Sequence, residues 1–371
     1  MEAFQKKVHQ LLELADVRIN GSRSFDIQVH NERLYQRIFA EGSLGLGESY
    51  MDGWWDCEAL EEFFYRIVRA ELDRRIKPLR EAVTFLRAMM LNLQKPSRAF
   101  LIGEHHYDIG DDLYEAMLDR RMIYSCGFWD NTRSLHKAQE QKLDLVFRKL
   151  GLQKGMRVLD VGCGWGGALK YAAEKYGVTG VGVTVSVNQA QAAERNCRDL
   201  PIDIRLQDYR HVDGQFDRVW SIGMIEHVGA KNYRTFMRVM RERLQPDGIF
   251  LLHTIGGNRS VLKTDPWIGK YIFPNSMIPS LRQLSLAWER LFVLEDLHNI
   301  GINYAKTLQH WHRNVEQHRK KLSERYSKRF FRMWRYYLLS SAGAFRARKL
   351  NVWQIVLSPN GIPGGYEPVR L

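Results

Sequence analysis

Seven short apolar runs constrain this chain more than any other feature. They are RVLDVG, VTGVGVTV, DIRLQD, FDRVWSIG, GIFLLHTIG, FVLEDL and NVWQIVL, and all lie after Gly155. Each is too short for a helix and rich in Val and Ile, and they alternate with helix-period stretches such as ALKYAAEKYG and NYRTFMRVMRERL. Apolar runs spaced by helical segments predict a parallel sheet covered by helices on both faces, an α/β fold.

The first hundred residues read differently. Helical periodicity recurs at Phe4, Val8, Leu11 and Leu12, at Phe63, Phe64, Ile67 and Val68, and near Val83, Leu86 and Met90. Between them GSLGLGESYMDGWWDC, crowded with glycine and aromatics, is expected to form an irregular loop. A smaller helical N-terminal domain over residues 1–95 is therefore predicted, with a break near NLQKPSR (92–98) and the α/β domain over 96–371. The last two apolar runs are separated by a basic segment, 305–349, expected to be a helical insertion.

VLDVGCGWGG, residues 158–167, places Gly162, Gly164 and Gly167 at the first strand-to-helix turn. Glycine there permits a tight turn and close approach of a ligand to the backbone at a helix N-terminus. A dinucleotide enzyme would carry a carboxylate at the end of the second strand for a ribose hydroxyl. This chain has Thr184 there, in VGVTVSVNQ, which disfavours a dinucleotide. Asp160 just ahead of the turn suits a ligand with an ammonium group as well as a ribose, as S-adenosylmethionine has. Gln207 and Asp208, in LQDYR, end the third strand and are available to an adenine edge; a simple polar strand terminus is the alternative.

Net charge is +13, and thirteen Lys or Arg against two Glu between Ala305 and Leu350 carry most of it. That concentration predicts an anionic partner for one face, a membrane surface or a nucleic acid, or else a solvated helix face. The four cysteines, Cys57, Cys126, Cys163 and Cys197, show no CxxC or Cys/His ligand spacing, so no metal is expected and a reducing cytoplasm fits. No apolar run approaches the eighteen or so residues of a spanning helix, and no signal peptide is read. Taken alone, Glu226 beside His227 reads as a surface pair and His253 as a core histidine.

Together these motifs resemble the cyclopropane-fatty-acyl-phospholipid synthases and, more distantly, the mycolic acid cyclopropane synthases. The likeness runs through EGSLGLGESYMDGWW, EHHYDIGDDLYEAML, YSCGFW, VLDVGCGWGG, GVTVSVNQ, LQDYR, FDRVWSIGMIEHVG, FLLHTIG, DPWIGKYIFPN and AGAFRAR. YSCGFW, MIEHVG and LLHTIG are the specific parts, since the glycine turn alone marks only a superfamily.

The resemblance implies a seven-stranded class I S-adenosylmethionine-dependent methyltransferase (Rossmann-like) sheet with a helical N-terminal domain. It implies transfer of a methylene across a cis double bond in the acyl chain of an intact phospholipid. Because such a lipid must be drawn partly out of the bilayer, the helical N-terminal domain and the basic segment are expected to dock a homodimer peripherally on the inner face of the membrane, with lipid rather than nucleic acid as partner. Thr184 and Gln189 would hold the ribose, and Gln207 and Asp208 the adenine side. Tyr124, Ser125, Asp160, Gly162, Cys163, Gly164, Trp165 and Gly166 would line the methionine end. A bound bicarbonate would serve as base, held by the side chains of Glu226 and His253, the Tyr304 hydroxyl, and the backbone of Cys126 and Ile255. Such a base suits the chemistry, because a thiolate near a sulfonium would compete for its methyl group. Some family members carry a cysteine just before AGAFRAR; this chain has Ser341, so no covalent thiol step is expected there.

Overall fold

All seven runs become strands of one sheet: β1 Arg157–Val161, β2 Thr179–Thr184, β3 Ile202–Leu206, β4 Phe216–Ile222, β5 Leu244–Gly257, β6 Val293–Asn299 and β7 Leu350–Ser358. This computed structural model describes residues 2–75 and 110–370. The spatial order is β3-β2-β1-β4-β5-β7-β6. The pairs β2–β3, β1–β2, β1–β4 and β4–β5 are parallel, whereas β6 and β7 are antiparallel to each other. The sheet is therefore mixed, not wholly parallel as expected. Burial explains the placement: eight of the nine residues of β7 are buried, which suits an interior slot, while β6 exposes Val293, Leu294 and Leu297 at the edge.

Successive residues of a strand face opposite sides. Leu159, Val161, Val219 and Phe250 pack against Phe236, Met237 and Met240 of the helix Tyr233–Arg243. Val158, Trp220 and Leu251 face Leu143, Val146 and Phe147 of the helix Leu135–Lys149, together with Leu169 of the helix Gly167–Tyr176. Each large side chain buried this way contributes about 1.5–3 kcal/mol. Asp160, two residues on from Val158, looks toward the same side as Val158. The strand order reverses between β1 and β4, and an open α/β sheet binds ligands at the carboxyl ends beside such a reversal.

A second compact unit takes in Met1–Leu91, Lys263–Pro274 and Tyr304–Leu350, the remainder forming the sheet unit. The basic segment thus folds with the N-terminal helices. GSLGLGESYM is not a loop: Ser43–Met51 is a helix, and Trp55–Asp56 makes a short antiparallel pairing with Gln28–Val29. Its glycines serve closeness. A Cβ on Gly45 would lie 2.4 Å from the Arg37 carbonyl oxygen, and one on Gly47 would lie 2.3 Å from the Trp267 ring. The helix Lys328–Arg346 then clamps this region with arginines. Arg332 donates to the carbonyls of Tyr50 and Trp55, Arg335 to that of Glu58 at 2.8 Å, and Arg329 pairs with Asp52 at 2.9 Å. Much of the charge that read as an anion-seeking face is spent inside the unit. Lys320, Lys321 and Lys328 stay exposed. Among the described residues no helix is long and apolar enough to cross a membrane. The expected break at 92–98, the periodicity near Val83 and the start of EHHYDIGDDLYEAML lie outside the described residues.

Candidate functional site

The glycine turn follows β1. Gly162, Gly164 and Gly166 take φ of 89°, 54° and 80°, which side chains with a Cβ rarely adopt. The N–H groups of Gly162 and Cys163 both donate to the Val183 carbonyl at 3.0 Å, tying the turn to β2. A Cβ on Gly167 would fall 1.9 Å from the Arg121 carbonyl oxygen, so the segment leading into Tyr124-Ser125-Cys126 runs directly against the turn. Tyr114 links the two, its ring 5.3 Å from that of Tyr124 and 5.1 Å from that of Trp165.

At the end of β2 the Thr184 hydroxyl donates to Gln189 Oε1 at 2.9 Å, both side chains being buried. Ser186 caps the helix that presents Gln189. Gln207 is tied by its N–H to the Thr184 carbonyl, and its side-chain amide donates to the His211 carbonyl. Asp208 accepts from the Arg210 N–H and pairs with the Arg210 guanidinium at 3.0 Å. The four residues expected around ribose and adenine form one continuous corner. Asp160 is buried, and burial pushes its carboxyl up to about 7.

A second corner lies at the ends of β4 and β5. His253 is in register with Ile222, and the Gly223 N–H donates to the His253 carbonyl at 2.9 Å. Glu226 follows in a tight turn, Ile225–His227. Its Oε1 accepts from the Ile255 N–H at 2.7 Å. Its Oε2 is buried and has no hydrogen-bond partner among the described residues. Burial pushes this carboxyl above the usual range, favouring its protonated form. His253 is 2% exposed, and burial, with the charges of Lys142 and Lys149, holds it well below its ordinary range and therefore neutral. Gln354 on β7 places Nε2 3.4 Å from His253 Nδ1. An amide donor there leaves the ring proton on Nε2, facing away from Gln354.

Cys126 is fully buried, with its S–H directed at the Gly127 carbonyl 3.2 Å away. Phe128 and Trp129 are anchored through their backbone, Phe128 N–H to the Ala138 carbonyl and Trp129 N–H to Asn303 Oδ1. Tyr304 belongs to the helical unit, where it is buried with its ring 4.7 Å from Phe345 and 5.8 Å from Trp311.

Residues 94–355 match the family model described as mycolic acid cyclopropane synthetase. Over 363 residues the chain is 47% identical to the cyclopropane-fatty-acyl-phospholipid synthase of Escherichia coli K12, a match covering 98% of this chain and 95% of that one. This chain belongs to the mycolic acid cyclopropane synthetase family. It is also 34% identical to a probable fatty acid methyltransferase of Pseudomonas putida, over 68% of this chain and 67% of that one. Among solved structures, the mycolic acid cyclopropane synthase CmaA1 complexed with S-adenosylhomocysteine and CTAB aligns at 31% identity with a TM-score of 0.65, covering 70% of this chain and 97% of that one.

Family membership brings with it S-adenosylmethionine-dependent methyl transfer on a class I methyltransferase sheet. The residues fit such a cofactor: a glycine turn, a buried hydroxyl and amide after β2, and a buried carboxyl facing the helix side. In this family member four further residues shape the site that pattern reading missed: Tyr114, Gln139, Lys142 and Gln354. Gln139 and Lys142 are three apart on the helix Leu135–Lys149, so they share a face. Gln139 Nε2 donates to the Ser125 carbonyl at 2.8 Å, and Lys142 Nζ to Ser125 Oγ at 3.0 Å. Both side chains are wholly buried. The available signal was a polar residue recurring on the helix's apolar stripe.

Proposed function

We propose that this enzyme adds a methylene across the cis double bond of unsaturated acyl chains in phospholipids, with bicarbonate as the base. Substrate class is supported by the name and near-complete overlap of the Escherichia coli relative. S-adenosylmethionine, when bound, supplies an electrophilic methyl group. The alkene that takes it becomes a cation, which closes to a ring only after a proton leaves the new methyl group. This chain must therefore exclude water and hold a weakly nucleophilic base. Aromatic faces at Tyr124, Phe128 and Trp129 suit the first demand by also favouring positive charge.

The observation that carries the second is the buried Oε2 of Glu226, unpartnered among the described residues, on a carboxyl held by the Ile255 N–H two positions along β5 from neutral His253. A protonated Glu226 and the Nε2–H of His253 are two donors, which is what a small oxyanion needs in a buried corner. Bicarbonate would be held by these two and by the Cys126 backbone, and would supply the base. Ile255, whose N–H serves Glu226, acts by fixing that carboxyl. Tyr304 enters through the family resemblance, and Tyr304→Phe tests its hydroxyl. Peripheral docking on anionic lipid through Lys320, Lys321 and Lys328, by a homodimer at the inner face of the membrane, completes the reading.

Incubation with labelled S-adenosylmethionine and unsaturated phospholipid vesicles, with bicarbonate present or stripped, tests it. Label in the acyl chains, a product heavier by one methylene with no double bond, and a rate that follows bicarbonate are expected. The Pseudomonas putida relative's name favours a second reading, a methyl branch. A product that carries the added carbon but is not a ring would establish it, and the absence of label would refute both.

A further inference from the structure

Lys142 is a buried charged group that the proposed chemistry leaves without a task. It is wholly buried, and its one hydrogen bond among the described residues runs to Ser125 Oγ at 3.0 Å. Among the described residues no carboxylate lies within ion-pair distance of it, and its two other N–H donors meet no acceptor there. A buried ammonium so sparsely paired is costly, and such a group persists where something else compensates it. Burial works against its charge, and the carboxyls of Asp119 and Asp160 favour it; its own charge is felt at His253.

Those neighbours locate it. Asp160 precedes the glycine turn on β1, and Ser125 lies in the segment that runs against the turn. The amino-acid end of S-adenosylmethionine carries one ammonium and one carboxylate. Asp160 supplies the negative partner for such a zwitterion, and the positive partner has so far had no residue.

We propose that Lys142 is a positioning residue for the cofactor: its ammonium, held on Ser125 Oγ, forms with Asp160 a buried pair of opposite charges that matches the carboxylate and ammonium of the methionine moiety. Gln139, one turn earlier on the helix, grips the Ser125 carbonyl, so that hydroxyl and main chain of Ser125 are fixed from the same side. The helix Leu135–Lys149 thereby sets both the register of the Ser125–Cys126 peptide and the sign of the field at the cofactor's carboxylate. This inference rests on S-adenosylmethionine dependence and not on the bicarbonate base.

Binding calorimetry with S-adenosylhomocysteine and with its analogue lacking the α-carboxylate separates charge recognition from packing. The parent protein should prefer the carboxylate-bearing ligand by about tenfold or more, the range of one charge-assisted hydrogen bond. Lys142→Met should lose that preference, and Lys142→Arg should keep most of it. A merely structural lysine would weaken both ligands alike, so a Lys142→Met protein that retains the parent's preference overturns the proposal. Should Lys142→Met fail to fold, Ser125→Ala serves: it removes the anchor but not the charge, and the preference should fall severalfold. An unchanged preference in Ser125→Ala would equally overturn the assignment. Because the readout is ligand binding, a failure of the bicarbonate reading leaves these outcomes untouched.

Discussion

Asp160→Asn should make the ligand-free protein more stable while crippling its hold on the cofactor. Asp160 is 2% exposed, and burial moves its carboxyl from an ordinary 3.8 to about 7. The shift is about three units, and at 1.36 kcal/mol per unit the ionised form costs the folded protein about 4 kcal/mol. The sign follows from linkage. A folded value raised above the unfolded one means that stability is complete below the ordinary carboxylate range and declines as pH rises, the loss being full above about 7. Asparagine cannot ionise, so the variant escapes that loss. At about pH 8 the variant should exceed the parent by up to roughly 4 kcal/mol in urea unfolding, and near pH 4 the two should converge. Bound S-adenosylhomocysteine brings an ammonium that favours the carboxylate, and here the order reverses: the parent should bind it at least about tenfold more tightly. An Asp160→Asn protein no more stable than the parent at about pH 8, or one that binds the ligand equally well, would refute the argument. The residue is an instance of stability given up for function.

Glu226→Gln should lower the rate of acyl-chain labelling by about a hundredfold or more with unchanged S-adenosylhomocysteine affinity, since it removes the proton that a bound oxyanion would share. Cys126→Ser should keep most of that rate, because the backbone and not the thiol is needed; a loss larger than that of Glu226→Gln would restore the sulfur to the mechanism. Arg332→Ala strands the carbonyls of Tyr50 and Trp55 and should cost about 3 kcal/mol of stability, read by urea unfolding. Reversing charge at Lys320 and Lys321 together should weaken sedimentation with anionic vesicles at low salt by about tenfold or more without altering the melting temperature, and unchanged sedimentation would remove this segment from membrane contact.

The strands were legible because a buried strand needs consecutive Val, Ile and Leu, and nothing else in the chain mimics VLDV or NVWQIVL. Their directions were less so: β6 and β7 pair antiparallel, a fact set by which run deserves an interior slot rather than by either run's own composition. GSLGLGESYM misled because glycine counts against a helix when read locally, whereas here it admits the Arg37 backbone and the Trp267 ring. Glu226 and His253 were named from the family motifs, and on composition alone both read as ordinary residues. Lys142, Gln139 and Gln354 escaped for a different reason. Each sits on an element whose neighbours are apolar, and a polar residue there is informative only once its burial is known.

The arginine clamp also dictates when the helical unit can come into being. Arg332 reaches the Tyr50 carbonyl across 282 positions of sequence. At translation rates of roughly 5–20 residues per second, the emerging N-terminal helices wait on the order of tens of seconds for the partner that completes them. Throughout that interval Trp55, Phe63 and Phe64, all buried in the finished protein, have no Lys328–Arg346 helix to cover them. The segment around Trp55, Phe63 and Phe64 thus finishes folding only once the Lys328–Arg346 helix has been made, well after that segment has itself emerged.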